Sequence, residues 1–150
     1  MKLKIPPVVV TLISVLLMWL VAKQNLLMDL TIDVSALVTI LLGLLSIVIG
    51  LIGVGQFSKN KTTVNPHKPE NSSKLVDDGI YKYTRNPMYL ALVIGLIAVG
   101  FYLKSMLSFV FIPIFIWFMN TYQIKPEEEM LIQIFGDKYR KYLETVRRWI

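Results

Sequence analysis

Apolar residues in this chain gather into four runs, at about residues 5–22, 34–57, 88–103 and 106–124, separated by polar stretches of unequal length. Each run approaches the roughly 20 apolar residues that a helix needs to cross a hydrocarbon core. The pattern predicts an all-α integral membrane protein, a single domain over residues 1–150 with four transmembrane helices and a cytoplasmic amphipathic helical segment within 125–150. The first run follows Met1-Lys2-Leu3-Lys4, as a secretory signal would. Leu20 stands where a small residue should precede cleavage after Ala22, and further spans follow, so a retained helix is expected. The second run is long enough to tilt and carries Thr39-x-x-x-Gly43 and Ser46-x-x-x-Gly50, spacings that let helix backbones approach closely. Gly50, Gly53 and Gly55 read first as packing residues. The third and fourth runs are separated by little more than Lys104 and Ser105, which predicts a tight hairpin, with Pro113 placed to kink the fourth helix.

Composition agrees with lipid as the solvent. Of 150 residues 55% are hydrophobic, and the mean hydropathy is +0.58, more apolar than an ordinary soluble domain. There is no cysteine, which excludes disulfides, thiolate metal sites and a cysteine nucleophile, and a single histidine, His67, excludes most zinc arrangements. No metal site is expected.

The basic residues give an orientation. Four spans put both termini and the 58–87 loop on one side, and of the 16 lysines and arginines only Lys23 and Lys104 fall on the other. The positive-inside rule therefore makes both termini and the loop cytoplasmic, in the cell (inner) membrane. Topology explains the net charge of +6, with attraction to anionic headgroups second, and nucleic acid is not needed as a partner.

Candidate chemistry lies on that basic side. The connection from Ser58 to Pro87 is long for a compact domain, and its first part is polar and punctuated by proline. Asn60-x-Thr62 and Asn71-x-Ser73 match glycosylation acceptors in form, but a cytoplasmic loop does not meet that machinery. His67, between Pro66 and Pro69, reads as a solvated loop histidine. Further on, Gly79 supplies a turn and Pro87 suits the opening of the third helix. Around that helix start stand Tyr81, Tyr83, Arg85 and Tyr89. Singly they suit an interfacial aromatic belt and a snorkelling arginine. Together, three phenols, a guanidinium and a helix N-terminus suit an anionic group.

A second cluster follows Pro126. Glu127, Glu128 and Glu129 are good first-turn acids against a helix dipole. Glu127, Leu131, Ile134, Phe135 and Lys138 also fall along one helical stripe, with Glu128 and Tyr139 on its border, so the stripe is expected to face the protein. Gly136 should break or bend this helix, after which residues 137–150 read as an interfacial amphipathic helix.

Gly79-Ile80-Tyr81 leading to Arg85-Asn86-Pro87-Met88-Tyr89, a hydrophobic hairpin, then Glu127-Glu128-x-x-Leu131-x-x-x-Phe135-Gly136-x-x-Tyr139-x-x-Tyr142 resembles the isoprenylcysteine carboxyl methyltransferase family, allied to membrane phospholipid methyltransferases. The likeness covers about Thr63 to Arg148. In that family the arginine is more often followed by histidine; Asn86 here keeps hydrogen bonding but no charge. The resemblance implies S-adenosylmethionine as cofactor at the cytoplasmic ends of the last two helices, held by Gly79, Tyr81, Arg85, Asn86, Pro87, Tyr89, Glu127, Glu128 and Tyr139. It implies Arg85 and Glu128 as catalytic residues and a membrane lipid or lipidated small molecule as methyl acceptor. An acid would pair with the methionyl ammonium and tyrosines would face the adenine or sulfonium. Whether the acceptor is a carboxylate, an amine or a hydroxyl stays open. So do two rival readings: a reductase on a related membrane scaffold, whose relatives are longer with more spans, and a non-catalytic scaffold or lipid-binding protein.

Overall fold

Proline opens the first helix. In the computed structural model, which describes residues 5–24, 32, 34–60 and 74–150, α1 runs Pro7–Lys23 with proline at its start, where a missing N–H breaks no hydrogen bond. The second helix, α2, runs Ala36–Lys59 and is capped by Ser35, whose hydroxyl accepts from the Leu37 N–H at 3.3 Å. Next comes a short 3-10 turn, Gly79–Lys82, and then α3, Pro87–Tyr102, again opened by proline. These bounds fall within two residues of the first three apolar runs. The described residues contain helices and turns and no strand.

The fourth run is less regular. A 3-10 turn, Met106–Val110, leads into α4, Phe111–Phe118, then a π-helical turn, Met119–Ile124, and α5, Lys125–Phe135. Pro113 makes no mid-helix kink. It lies in the first turn of α4, where its absent N–H removes little. The distortion comes at Met119–Ile124 instead, and Pro126 explains it, because its ring would press on the carbonyl four residues back in a regular helix. The continuous segment Met106–Phe135 has 30 residues. At about 1.5 Å per residue it is roughly 45 Å long, more than a hydrocarbon core of about 30 Å. A crossing of that thickness would leave its polar end from Lys125 onward outside.

Two helices, Ala36–Lys59 and Met106–Phe135, are long and apolar enough to cross a membrane, and two shorter apolar ones, Pro7–Lys23 and Pro87–Tyr102, accompany them. Small residues bring α2 onto α3. The Ser46 hydroxyl donates to the Ala91 carbonyl at 2.7 Å. A methyl at Gly50 would touch Ala91 at 3.6 Å, and one at Gly53 would crowd Met88 at 2.9 Å. Gly43 faces nothing within 4 Å, so of the two small-residue spacings Ser46-x-x-x-Gly50 makes the close approach. The rest of α2 points outward: Leu37, Ile40, Leu44, Ile47 and Leu51 are all exposed, and Gly53 is the one buried residue of the helix. Leaving a single such side chain in water forfeits about 1.5–3 kcal/mol, so this surface suits lipid.

A core of Met18, Val93, Leu96, Ile112, Phe115 and Met119 joins α1, α3 and α4, and the buried Ser108 hydroxyl donates to the Met18 carbonyl at 3.0 Å. Apart from this core, Leu75, Tyr139 and Tyr142 form a second cluster with Leu131, Ile132 and Phe135. Gly136, at φ +54°, ends α5 and starts α6, Asp137–Thr145, as its glycine led one to expect. Two expectations change here. Ile134 and Lys138 are exposed and Ile132 takes their place inward, because the inward face is set by contact with α6 and Leu75. The helix expected over 137–150 stops at Thr145. Val146 is extended, and the residues after it turn back to the protein, where their polar groups find partners.

Candidate functional site

Gly79 sits at φ +58°, which favours glycine, and a methyl there would displace the end of the Gln56 side chain. The turn it starts buries Tyr81, whose ring meets Phe57 edge-on with centroids 5.5 Å apart. The Tyr142 hydroxyl donates to the Tyr81 carbonyl at 2.6 Å and fixes the turn against α6. The Tyr81 hydroxyl itself is buried without a partner among the described residues, and so is Gln56 Oε1. Burial, and next the neighbouring Glu127, push the Tyr81 phenol far above its ordinary range. Tyr83, expected to converge with the other phenols, is 78% exposed and turns away. Residues 79–82 form a tight turn, which sends alternate side chains to different sides.

Arg85 follows. One guanidinium nitrogen, Nη1, donates to the carbonyls of Leu143 at 2.8 Å and Val146 at 2.9 Å; Nη2 donates to Glu128 Oε1 at 3.0 Å. Its Nε is buried without a partner. Glu128 is held a second time by Arg148, through Nε at 3.1 Å and Nη2 at 2.6 Å. This pairing is sheltered, with side-chain exposures of 10% for Arg85, 12% for Glu128 and 29% for Arg148. Asn86 opens α3 without a side-chain cap, its Nδ2 donating to the Arg148 carbonyl at 2.9 Å, and the buried Pro87 follows it.

Glu127 has different company. The Tyr89 hydroxyl donates to Glu127 Oε2 at 2.9 Å and accepts from Gln123 Nε2 at 3.2 Å. No lysine or arginine among the described residues pairs with Glu127. Burial pushes its carboxyl up to about 7; the Tyr89 hydrogen bond opposes this and the adjacent Glu128 adds to it. The two adjacent glutamates thus differ: Glu128 is neutralised by two guanidinium groups, and Glu127 is desolvated without a cation. Tyr139 is buried against Tyr142, with ring centroids 5.8 Å apart. Its phenol is raised first by burial and then by Glu128 and Glu127.

Tyr81, Arg85, Asn86, Pro87, Tyr89, Glu127, Glu128 and Tyr139 therefore meet at one end of the helices, with Gly79 shaping the turn beside them. His67, Thr62, Asn71 and Ser73 lie outside the described residues. Four polar groups join the cluster that sequence reasoning did not single out for the site: Gln56, Gln123, Tyr142 and Arg148. Gln56 and Gln123 carried a signal, since a polar side chain in or next to an apolar run is costly unless it has a task.

A family model described as phospholipid methyltransferase matches residues 34–138, from the foot of α2 into α6. The chain belongs to that family. As a phospholipid methyltransferase family member it carries every candidate residue except Tyr139 inside the matched stretch, and the resemblance to isoprenylcysteine methyltransferases holds. An uncharacterized protein of Haemophilus influenzae is 43% identical over 63 residues, 42% of this chain and 100% of its own. The protein-S-isoprenylcysteine O-methyltransferase of Schizosaccharomyces pombe is 27% identical over 107 residues, 65% of this chain and 45% of that protein. The protein-S-isoprenylcysteine O-methyltransferase of Saccharomyces cerevisiae is 32% identical over 79 residues, 53% of this chain and 33% of that protein. The chain thus spans less than half the length of these two methyltransferases. No solved structure matches it.

Proposed function

We propose that this family member is an S-adenosylmethionine-dependent methyltransferase acting on a lipid-like acceptor at the cytoplasmic face of the cell membrane. Residues 1–150 act as one domain, crossing the bilayer four times at about 5–22, 34–57, 88–103 and 106–124, with both termini in the cytoplasm. The observation that carries the reading is Glu127, a desolvated carboxyl held by Tyr89 with no cation paired to it among the described residues. Such a group calls for a cationic ligand.

Other features fit the same ligand. Tyr81 Oη, Gln56 Oε1 and Arg85 Nε are buried polar atoms without partners among the described residues, and buried polar groups ordinarily have them. A cofactor with an ammonium, hydroxyls and an aromatic base would satisfy donors and acceptors of this kind. Glu127 would hold the ammonium, and Tyr81, Tyr89 and Gln56 would take polar and aromatic parts. S-adenosylmethionine would supply a methyl group already activated on a sulfonium, so the protein needs to provide alignment, water exclusion and balanced charge. Arg85 and Glu128, bound to each other, position the loop before α3 against α5.

The acceptor's apolar tail lies in the bilayer and enters sideways, between transmembrane helices near Met88 to Leu92. The two named relatives methylate isoprenylcysteine, and a carboxylate acceptor of that kind needs no general base. In the test, S-adenosylhomocysteine stabilises the purified protein against heat and NADPH does not. Incubation with radiolabelled S-adenosylmethionine and total lipid extract then yields a labelled lipid. Stabilisation by NADPH alone would move the chain to the reductases, and no response to either ligand would remove the catalytic reading.

A further inference from the structure

Residues 146–150 leave helical geometry at Val146, with φ −120° and ψ 132°, and return across the site. Three consecutive residues of this segment bind three different elements. The Arg147 carbonyl accepts from the Arg85 N–H at 3.0 Å. The Arg148 carbonyl accepts from Asn86 Nδ2 at 2.9 Å and the Thr84 hydroxyl at 3.3 Å, while its guanidinium grips both oxygens of Glu128. The Trp149 indole N–H donates to Asn120 Oδ1 at 3.2 Å, in the π-helical turn that also carries Gln123.

Glu127 and Glu128 are adjacent acids, and the charge on Glu128 opposes ionisation of Glu127. Among the described residues, the titratable groups that face Glu127 from neighbouring elements are Tyr89 on α3, Tyr81 in the 79–82 turn, Tyr139 on α6 and Glu128 beside it, none of them cationic. Burial is the first cause that holds Glu127 against ionisation and the Tyr89 hydrogen bond opposes it; compensation of Glu128 sets how much the adjacent negative charge adds. Arg85 supplies one hydrogen bond to Glu128 and Arg148 supplies two.

We propose that residues 146–150 form a positioning strap for the site, in which Arg148 neutralises Glu128 so that Glu127 alone is presented to the cation of the ligand. The proposal rests on the methyltransferase reading above and adds Arg148 to it as a positioning residue. It acts through Glu128 and through the loop Thr84–Asn86, and needs no contact with the ligand.

The test is calorimetric titration of the full chain in detergent with S-adenosylhomocysteine between pH 6 and 8.5. The variants are Arg148→Met, which keeps the aliphatic stem, and the double variant Glu128→Gln/Arg148→Met. Wild-type affinity falls below a midpoint near pH 7, where Glu127 takes up a proton. In Arg148→Met, Glu128 is less compensated, so the midpoint moves up by about half a pH unit or more and affinity at pH 6 drops about threefold or more. The double variant, with the surplus charge gone, returns the midpoint to the wild-type value or below and recovers affinity. A strap that only packed would give a double variant no better than the single, and that result overturns the proposal. So does an Arg148→Met profile that overlays wild type. If wild-type protein itself binds no S-adenosylhomocysteine, the methyltransferase reading falls and takes the strap's role with it.

Discussion

Glu127→Gln separates what this carboxyl costs the empty protein from what it contributes to binding. Burial raises the group from its ordinary value of 4.5 to about 7. At about 1.4 kcal/mol per pH unit, carrying a charge there costs roughly 3 kcal/mol without a ligand. Because the folded value lies above the unfolded one, the folded chain holds the proton more tightly between those limits. Stability therefore falls as pH rises from 4.5 toward 7, and the full cost is present above 7. Glutamine has no charge to desolvate, and its carbonyl still accepts from Tyr89. The variant should match wild type near pH 4.5 and exceed it at pH 8 by about 2–3 kcal/mol, an apparent Tm gain of roughly 5–10 °C for a chain of this size. Binding should move the other way. Losing one partner of a charged pair in a partly dry site costs about 2–5 kcal/mol, so affinity for S-adenosylhomocysteine at pH 8 should fall at least about thirtyfold. Thermal melts and calorimetric titrations on the same preparations read both effects. Unchanged affinity would remove Glu127 from the ligand site, and a variant less stable than wild type at pH 8 would refute the uncompensated buried charge.

Glu128→Gln alone should behave in the opposite sense, lowering stability by about 2–4 kcal/mol in denaturant or thermal unfolding, because Arg85 and Arg148 lose their shared anion; a neutral effect would mean that the pairing is not sheltered. Arg85→Lys keeps the charge and loses the fork that spans Leu143, Val146 and Glu128, so kcat should fall at least about tenfold with little change in cofactor affinity. Full turnover would make Arg85 a simple interfacial cation. Gly79→Ala must adopt φ +58° and displace Gln56, which should cost about 1–3 kcal/mol in thermal unfolding; a variant as stable as wild type would show that the turn rearranges freely. For topology, an impermeant thiol reagent applied from outside intact cells should label Gln24→Cys and leave Lys82→Cys unlabelled, and the reverse pattern would place the site on the wrong face.

Hydrophobic pattern alone located the helices. Runs of apolar residues ended by Lys23, Lys59 and the Lys104 turn, with proline at Pro7 and Pro87, mark helix limits because both signals act locally, through hydration of charge and loss of an N–H. Gly136 was legible for the same reason. Sequence also brought together the two motifs, since Arg85, Tyr89, Glu127 and Glu128 stand in a recognisable order around a hairpin. It could not say that Tyr83 turns outward, that Ile132 replaces Ile134 on the inner face, or that helix 137–150 stops at Thr145. Those depend on which surfaces meet, and α6 has one face fixed only by Tyr139 and Tyr142 docking on Leu75 and α5.

The division of labour between the adjacent glutamates is the clearest case. On the sequence both are first-turn acids suited to the dipole of α5 and both are candidates for the cofactor ammonium, Glu127 on the inward stripe and Glu128 on its border. Their difference arises because consecutive residues on a helix point about 100° apart, so Glu127 meets Tyr89 of α3 while Glu128 meets Arg85 and Arg148. Arg148 lies 20 residues beyond Glu128 and reaches it across the break at Gly136 and the extended Val146. The residue types set which charges this protein owns; long-range packing decides which of them are already spent on one another, since a charge is silenced only by the partner that folding brings within a few ångströms.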